Sequence, residues 1–228
     1  VEGLERLQRA HLTAVPFENL DVFHRRGVGT DPSWSVPKIV GRGRGGWCYE
    51  LNGAFASLLE GLGFEVRLIG AGVLPVTGPT PDHMAIEVAL DRPYLVDVGF
   101  GDSFIRPLPL DSTDPHDGGA MAYRFEIDGD VTTLISEHPS GPTRDYSFDR
   151  SAKFSSQDFE PSSNRLQTEP GLKWTANPFA TRLLDGGPDR VTLLKDRIKL
   201  RRNGKTTEEP VAQSDWGQAL HEWFGMVP

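Results

Sequence analysis

The chain has 228 residues, 37% of them hydrophobic and 25% charged, and a net charge of −8 at pH 7. These proportions are typical of a globular protein, and the length is sufficient for several small subdomains around one core. The negative charge argues against a nucleic acid or an anionic membrane surface as the main partner.

The chain contains one cysteine, Cys48, and therefore forms no internal disulfide. It has no Asn-x-Ser/Thr glycosylation acceptor, no secretory signal at its start and no apolar run long enough to cross a bilayer. These features predict a reducing, cytoplasmic location without membrane association. Because the first residue is Val1 rather than Met, we expect an N-terminal piece to be missing.

The start of the chain is predicted to be helical. Apolar residues from Leu4 to Ala10 recur at helical spacing, and Pro16 ends that helix. A second, short helix is predicted to run to Val40. Glu18 lies between them among apolar residues, and if this carboxylate is buried it needs a partner such as an arginine.

The segment from Arg42 to Gly63 places Cys48 where a helix begins. Apolar residues follow at the spacing of one buried helical face: Leu51, Ala54, Phe55, Leu58 and Leu62. The glycines that precede the cysteine let the backbone turn tightly. The positive end of a helix macrodipole favours the thiolate form of a cysteine in the first turn, so Cys48 is a candidate nucleophile.

Beyond this helix the pattern changes to the period of two that is typical of strands. Strands are predicted over 64–74, 83–90 and 94–98, and the last two are predicted to form a hairpin. His83 begins the second strand on the face opposite the apolar one. Asp97 lies in an apolar run, where a carboxylate needs a hydrogen-bond partner. The register between His83 and Asp97 stays open, because a slip of one residue reverses every face.

The second half of the chain is predicted to be rich in strands. They are expected over 123–127, 131–136, 145–149, 191–195 and 198–201, with a hairpin turn at 128–130. The segment from Ser155 to Pro178 is polar and lacks periodicity, so it is predicted to be irregular. A final helix is predicted to begin at Ser214 or Asp215.

A cysteine nucleophile needs a base that accepts its proton and a group that orients the base. His83 is the best placed of the six histidines, and Asp97 on the adjoining strand is the best buried acid. In this interpretation His83 takes the thiol proton, while Asp97 holds the ring and stabilises the imidazolium. The alternative is structural, since a lone cysteine is often a small buried hydrophobe and a buried aspartate often only pairs with an arginine.

Two other sites are disfavoured. Gly41, Gly43 and Gly46 match the G-x-G-x-x-G pattern of dinucleotide-binding proteins, but Pro37 and Lys38 interrupt the buried strand that should precede it. A zinc site is not expected either, because one cysteine has no paired ligand at metal spacing.

Three segments carry a resemblance to a known family. HLTAVPFENL (11–20), RGGWCYELN (44–52) and YLVDVGFGD (94–102), with a histidine between the last two, resemble the arylamine N-acetyltransferases. The resemblance is specific from about His11 to Gly101 and looser toward the C-terminus. It implies a cysteine-protease-like triad of Cys48, His83 and Asp97 that is used for acyl transfer.

The resemblance implies further roles at this site. Glu18 and Arg44 would form a structural ion pair, and Phe17 and Phe100 would line the acceptor pocket. The loop near the acyl donor would contain Gly101, Asp102 and Ser103. No metal and no tightly bound cofactor is implied.

The implied fold is α+β and similar to that of cysteine proteases. Residues 1–63 would form a helical bundle that carries the cysteine. Residues 64–165 would form a β-barrel-like region that carries the histidine and the aspartate, and residues 166–228 would form a C-terminal α/β lid.

The implied reaction is a ping-pong transfer of the kind used in xenobiotic metabolism. Cys48 would take an acetyl group from the co-substrate acetyl-coenzyme A and pass it to an arylamine, arylhydrazine or N-hydroxyarylamine, with His83 relaying the proton. Two alternatives remain. One is an amide synthase of the same superfamily that releases a polyketide from a carrier protein, and the other is a catalytically idle binding homologue.

Overall fold

The N-terminal part of the chain is helical, as its sequence predicts. The computed structural model describes residues 1–76, 78 and 80–227. Its N-terminal part contains helix α1 (Glu2–Ala14), strand β1 (Phe17–Glu18), α2 (Leu20–Phe23), α3 (Pro32–Val36), a π-helical turn (Pro37–Gly41) and α4 (Cys48–Gly61). Thr77, Pro79 and Pro228, which belong to the predicted second and third regions, lie outside the described residues. Helix α4 begins at Cys48, the residue predicted to start it.

Helix α4 is more deeply enclosed at its start than one apolar face requires. From Cys48 to Ala56 every side chain is buried, whereas Leu58 and Leu62 are 48% and 56% exposed. The prediction that the last two leucines belong to the buried face was therefore wrong. The helix is enclosed over its first turns, whereas Leu59 is the one buried residue of its last turn.

An eight-stranded, barrel-like antiparallel sheet forms the middle of the chain. Its strands are β2 (Glu65–Val73), β3 (His83–Ala89), β4 (Pro93–Val96), β5 (Leu108–Pro109), β6 (His116–Asp117), β7 (Ala122–Asp128), β8 (Val131–His138) and β9 (Gly141–Asp149). They are arranged in the order β5-β4-β3-β2-β9-β8-β7-β6. The predicted hairpin of β3 and β4 is confirmed, with Ala89 opposite Pro93 and Ile86 opposite Val96.

Strand β3 is buried on both faces, not on one as its alternation predicts. Met84, Ile86 and Val88 pack in the core that also contains the first half of α4, while Ala85 packs in the interior of the barrel-like sheet. His83 is therefore buried although it lies on the less apolar face. The reason is that β3 is a central strand with a helix on one side and the curved sheet on the other.

A second sheet brings the two ends of the described chain together. It contains β10 (Ala180–Leu183), β11 (Arg190–Leu193), β12 (Arg197–Arg202) and β13 (Lys205–Pro210), with β1 at the edge beside β10. Phe17 of β1 lies opposite Thr181 of β10. Helix α7 (Trp216–Phe224) packs against this sheet through Leu220 and Phe224. The first strand of the chain is thus a part of its last sheet.

The prediction that 155–178 is irregular was wrong. The segment forms a 3₁₀ turn (Ser156–Phe159), helix α5 (Glu160–Thr168) and the short helix α6 (Lys173–Ala176). Helix α5 is polar, and tertiary contacts rather than periodicity stabilise it. Leu166 is buried, and the Gln167 amide exchanges two hydrogen bonds, of 3.0 and 3.1 Å, with the backbone of Val28. The boundary predicted between 165 and 166 falls within α5.

The glycine-rich segment before α4 has a structural explanation. Helix α3 and the π-helical turn precede it where a dinucleotide site would need a strand. At Gly45, a Cβ atom would lie 2.0 Å from the carbonyl oxygen of Pro16. The glycine therefore lets the chain pass directly against the residue that precedes β1. Within the described ranges, no helix combines the length and the apolar character that a bilayer span requires.

We expect Gly45→Ala to destabilise the protein, because the added methyl group overlaps backbone that cannot turn aside as a side chain would. The expected loss is about 2 kcal/mol or more, with a lower Tm in thermal unfolding. Gly3→Ala is the matched control, since a Cβ atom at Gly3 in α1 has no neighbour within 4 Å. An unchanged Tm in Gly45→Ala would contradict the close approach.

Candidate active site

The first turn of α4 and the end of β4 are packed directly against each other. Asp97, Val98 and Gly99 follow β4, and a Cβ atom at Gly99 would lie 2.7 Å from the Cα atom of Cys48. The absence of a side chain at Gly99 therefore brings Asp97 close to the helix that carries the cysteine. Cys48 itself is buried at this contact.

His83 and Asp97 form a buried hydrogen bond of 2.7 Å between Nε2 and Oδ2. Their residues are only 2% and 1% exposed. Because Val96 pairs with Ile86, the carboxylate reaches along β3 to His83 instead of lying opposite it. The structure thus determines the register that the sequence left open, and it brings the cysteine, the histidine and the aspartate to one place.

The Asp97 carboxylate has three further donors. Oδ1 accepts from Asn52 Nδ2 and from the Gly99 backbone N–H, both at 2.9 Å. Oδ2 also accepts from the Tyr146 hydroxyl at 3.1 Å. These bonds compensate for the removal of the carboxylate from water.

The environment of His83 favours the charged ring. Burial alone would lower the pKa of His83, but the Asp97 charge and its hydrogen bond outweigh burial, and a hydrogen bond with the Cys48 side chain adds to them. Together they raise the pKa of His83 to about 10. The imidazolium therefore predominates at neutral pH, and it faces the only thiol of the chain. This arrangement is suited to a thiolate–imidazolium pair.

Two residues of this cluster were missed in the sequence. Asn52 follows Cys48 by four residues, so the helical spacing could have placed both on one face. Tyr146 lies on β9, 49 residues from Asp97, and no local signal connects them. Its hydroxyl is neutral, since burial and then the Asp97 charge raise the pKa of Tyr146 well above its ordinary value.

A cavity of about 560 Å³, which we call the aromatic cleft, adjoins this cluster. Its apolar lining includes Phe17, Phe100, Trp174 and Phe179. Phe100 also packs edge-on against the His83 ring at a centroid distance of 5.1 Å. The cleft therefore approaches the histidine along Phe100. The cationic side chains of Lys173, Lys195 and Arg197 line it as well.

The loop that follows Phe100 connects the cleft to the second sheet. Gly101 and Asp102 line the cleft, whereas Ser103 is buried. The Asp102 carboxylate accepts two hydrogen bonds from Arg201, at 2.6 and 2.8 Å, and lies 3.2 Å from Nε of Arg190. The loop is therefore held to β11 and β12 by two arginines.

Glu18 and Arg44 form an ion pair at 3.0 Å, in a buried group that sequence reasoning captured only in part. Lys38 lies at the centre of this group, although in the sequence it looked like an interruption of a strand.

Across the described ranges, no three His, Cys, Asp or Glu side chains gather as a metal-binding group.

A cysteine at a helix start, with a buried histidine and aspartate beside it, is the arrangement of proteins with a cysteine nucleophile. Comparison with known proteins is consistent with that class. The family model described as N-acetyltransferase matches residues 1–227, and the chain belongs to this family. The resemblance to the arylamine N-acetyltransferases and the α+β fold that it implied are thereby confirmed.

Relatives and solved structures agree with this membership. The arylamine N-acetyltransferase / N-hydroxyarylamine O-acetyltransferase of Salmonella typhimurium is 36% identical over 154 residues, which are 65% of this chain and 55% of that protein. The chain thus matches little more than half the length of this curated relative. A structure of the Salmonella typhimurium arylamine N-acetyltransferase has a TM-score of 0.93 at 28% identity and covers 99% of this chain and 84% of its own. The Mycobacterium marinum enzyme in complex with CoA has a TM-score of 0.89 at 29% identity, covering 99% and 86%.

The raised pKa of His83 predicts a pH dependence of stability. The ring titrates near 6.5 in the unfolded chain and near 10 in the folded protein. Its contribution to the free energy of unfolding is therefore fully present below about pH 6.5 and is lost as the pH rises through about 10. We expect that free energy, measured by urea titration, to fall across this range. In Asp97→Asn the fall should be absent, since burial, the largest single influence on the ring, then outweighs the remaining contribution of Cys48 and lowers the pKa.

Histidine ring resonances in NMR provide the direct check. His11 is the internal control, because burial lowers the pKa of His11 to about 4 without a contribution from Asp97. At pH 8 we expect a charged His83 in the native protein, a neutral His83 in Asp97→Asn, and a neutral His11 in both. A His83 ring that stays charged in the variant would contradict the assignment to Asp97.

Proposed function

We propose that this protein is an arylamine N-acetyltransferase that carries the acetyl group on Cys48. The observation that supports this most strongly is the geometry around His83, whose charged ring is held by Asp97 and faces the thiol beside the aromatic cleft. Membership of the N-acetyltransferase family and the names of its relatives point to the same reaction.

In the first half-reaction the Cys48 thiolate attacks the carbonyl carbon of the acetyl-coenzyme A thioester. The bond between that carbon and the coenzyme A sulfur then breaks, and the departing sulfur takes the proton of the His83 imidazolium. The products are acetyl-Cys48, neutral His83 and free coenzyme A. We assign the oxyanion to backbone N–H groups in the first turn of α4, because the first N–H groups of a helix lack intrahelical acceptors.

In the second half-reaction the amine nitrogen attacks the carbonyl carbon of acetyl-Cys48. Neutral His83 accepts the proton that the amine loses, and Asp97 stabilises the resulting imidazolium. The bond to the Cys48 sulfur breaks, which releases the amide and restores the thiolate–imidazolium pair.

The aromatic cleft supports the choice of substrates. Phe17, Phe100 and Trp174 offer ring faces and edges to an aromatic amine. Lys173 and Lys195 complement the negative phosphates of acetyl-coenzyme A, whereas Arg197 is already paired with Asp196 and Glu208. The CoA complex of the Mycobacterium marinum relative supports this co-substrate. We also propose a cytoplasmic location, since a catalytic thiol must stay reduced.

The intact mass of the protein after mixing with acetyl-coenzyme A alone tests both half-reactions. We expect a stable gain of one acetyl group, which is lost when an arylamine is added and is absent in Cys48→Ala. Asp97→Asn should form the adduct roughly 10³-fold more slowly or worse, because the ring of His83 is then neither held nor charged.

The outcomes separate the alternatives. Transfer near the native rate in Cys48→Ala would refute the covalent mechanism, and an unchanged rate in Asp97→Asn would remove Asp97 from it. If the native protein forms no adduct while iodoacetamide still alkylates Cys48, the acyl donor is a different one, as in a carrier-bound polyketide. If Cys48 is also unreactive, the protein is an idle homologue.

A further inference from the structure

A fully buried lysine lies ten residues before the nucleophile in the chain. Lys38, in the π-helical turn, is 1% exposed, and its Nζ lies 2.8 Å from Glu50 Oε1, 2.8 Å from Asp21 Oδ2 and 3.9 Å from Glu18 Oε1. Lysine head groups are rarely buried unless they are paired. Burial lowers the pKa of Lys38, but the carboxylates, Glu50 first, outweigh it and raise that pKa, so the ammonium stays charged.

Two of these carboxylates also bond backbone at the edges of the proposed active site. Oε2 of Glu50 accepts a hydrogen bond of 3.2 Å from the N–H of Trp47, the residue before Cys48. Oε2 of Glu18 accepts one of 2.6 Å from the N–H of Leu20. One ammonium therefore holds the start of α4 against the segment that carries Phe17 into the aromatic cleft.

With Lys38 present, the three carboxylates of this group face three cations, because Arg26 also lies 3.3 Å from Asp21. Asp21 and Glu18 also contact Arg44, at 3.3 and 3.0 Å. Among the described contacts, however, Lys38 is the one cation that reaches Glu50. Burial raises the pKa of Glu50 to about 7 even though Lys38 opposes this shift. Without the lysine, Glu50 would either take up a proton or remain as an uncompensated charge two residues from the thiol.

We propose that Lys38 is a positioning residue for the nucleophile: through Glu50 it holds the first turn of α4 so that Cys48 faces His83, and it neutralises the buried Glu50 carboxylate in that turn. This inference rests on the proposed role of Cys48 as the acyl carrier. Both effects act in the same direction. A displaced helix start would separate the thiol from the imidazolium, and an uncompensated carboxylate would oppose the thiolate by charge repulsion.

A double-mutant cycle of Lys38→Gln, Glu50→Gln and both changes together tests the proposal. Lys38→Gln leaves the carboxylate without its cation. In Glu50→Gln the new side-chain NH₂ group points either to the Lys38 ammonium or to the Trp47 N–H. Both of these are donors, so the NH₂ group cannot form a hydrogen bond with either. In the double variant one amide can donate to the other while the amide oxygen at position 50 still accepts from the N–H of Trp47. The charge balance of the group is kept in that variant and lost in each single variant.

The measurement is the rate constant for iodoacetamide alkylation of Cys48 between about pH 6 and pH 8, followed by intact mass. We expect about a tenfold loss at pH 7 in each single variant and a recovery to within about threefold of the native rate in the double variant. In steady-state acetyl transfer the same pattern should appear in kcat, with little change in the KM for acetyl-coenzyme A, since the lysine does not line the aromatic cleft.

Arg67→Met is the matched control. It removes a cation that lies 2.7 Å from Glu87 Oε2, between β2 and β3 and apart from the Lys38 group. We expect its alkylation rate to equal that of the native protein even if its Tm falls. A tenfold loss in this control would show that general destabilisation explains the effect, and would overturn the proposal.

Two further results would overturn the proposal. One is a folded single variant that is alkylated at the native rate. The other is a double variant whose rate is reduced by the product of the two single reductions. Where a single variant does not fold, the double variant decides, because native-like alkylation supports the coupling and slow alkylation refutes it. Alkylation needs no acyl donor. A native protein without an acetyl adduct would therefore refute the proposed function and leave this comparison intact.

Discussion

The buried carboxylate of Asp97 is the constraint on which the arrangement of the molecule depends. A charge so far from water needs donors, and its four donors come from α4, from the end of β4, from β3 and from β9. The helical region and both sides of the barrel-like sheet must therefore be in register before the carboxylate is satisfied. The same bonds that compensate for its burial also hold the His83 ring and keep it charged. The packing of these elements and the charged state of the His83 ring thus depend on the same hydrogen bonds.

The ionic group around Lys38 is a second buried polar unit, and it differs from the first in what it connects. Asp97 is bonded mainly by neutral donors and joins sheet to helix, whereas Lys38 meets three carboxylates and joins helix to helix. Buried ion pairs contribute little net stability relative to apolar packing, but they tolerate few alternative geometries. Such a group is well suited to a place where the position of one side chain matters more than the free energy of unfolding. Both units meet at the first turn of α4.

The sequence predicted those elements whose formation depends on residues close together in the chain. The start of α4 at Cys48, the hairpin of β3 and β4 and the final helix all followed from spacing and turn residues, and the family motifs led to the fold. The contact of Tyr146 with Asp97 and the place of Lys38 depend on residues distant in sequence, for which one chain offers no periodic signal. Helix α5 was missed for the same reason, because its stability comes from the amide of Gln167 on Val28 and not from an apolar face.

The pairing of β1 with β10 has a consequence for the order of events during synthesis. Phe17 is synthesised long before Thr181, its partner across the sheet. Asp102 likewise waits for Arg190 and Arg201. Until then the nascent polypeptide holds its nucleophile without a closed substrate cleft. The architecture therefore delays the assembly of a competent site until β10, β11 and β12 have been synthesised, and a chain released before that point retains a thiol without the pocket that would direct it.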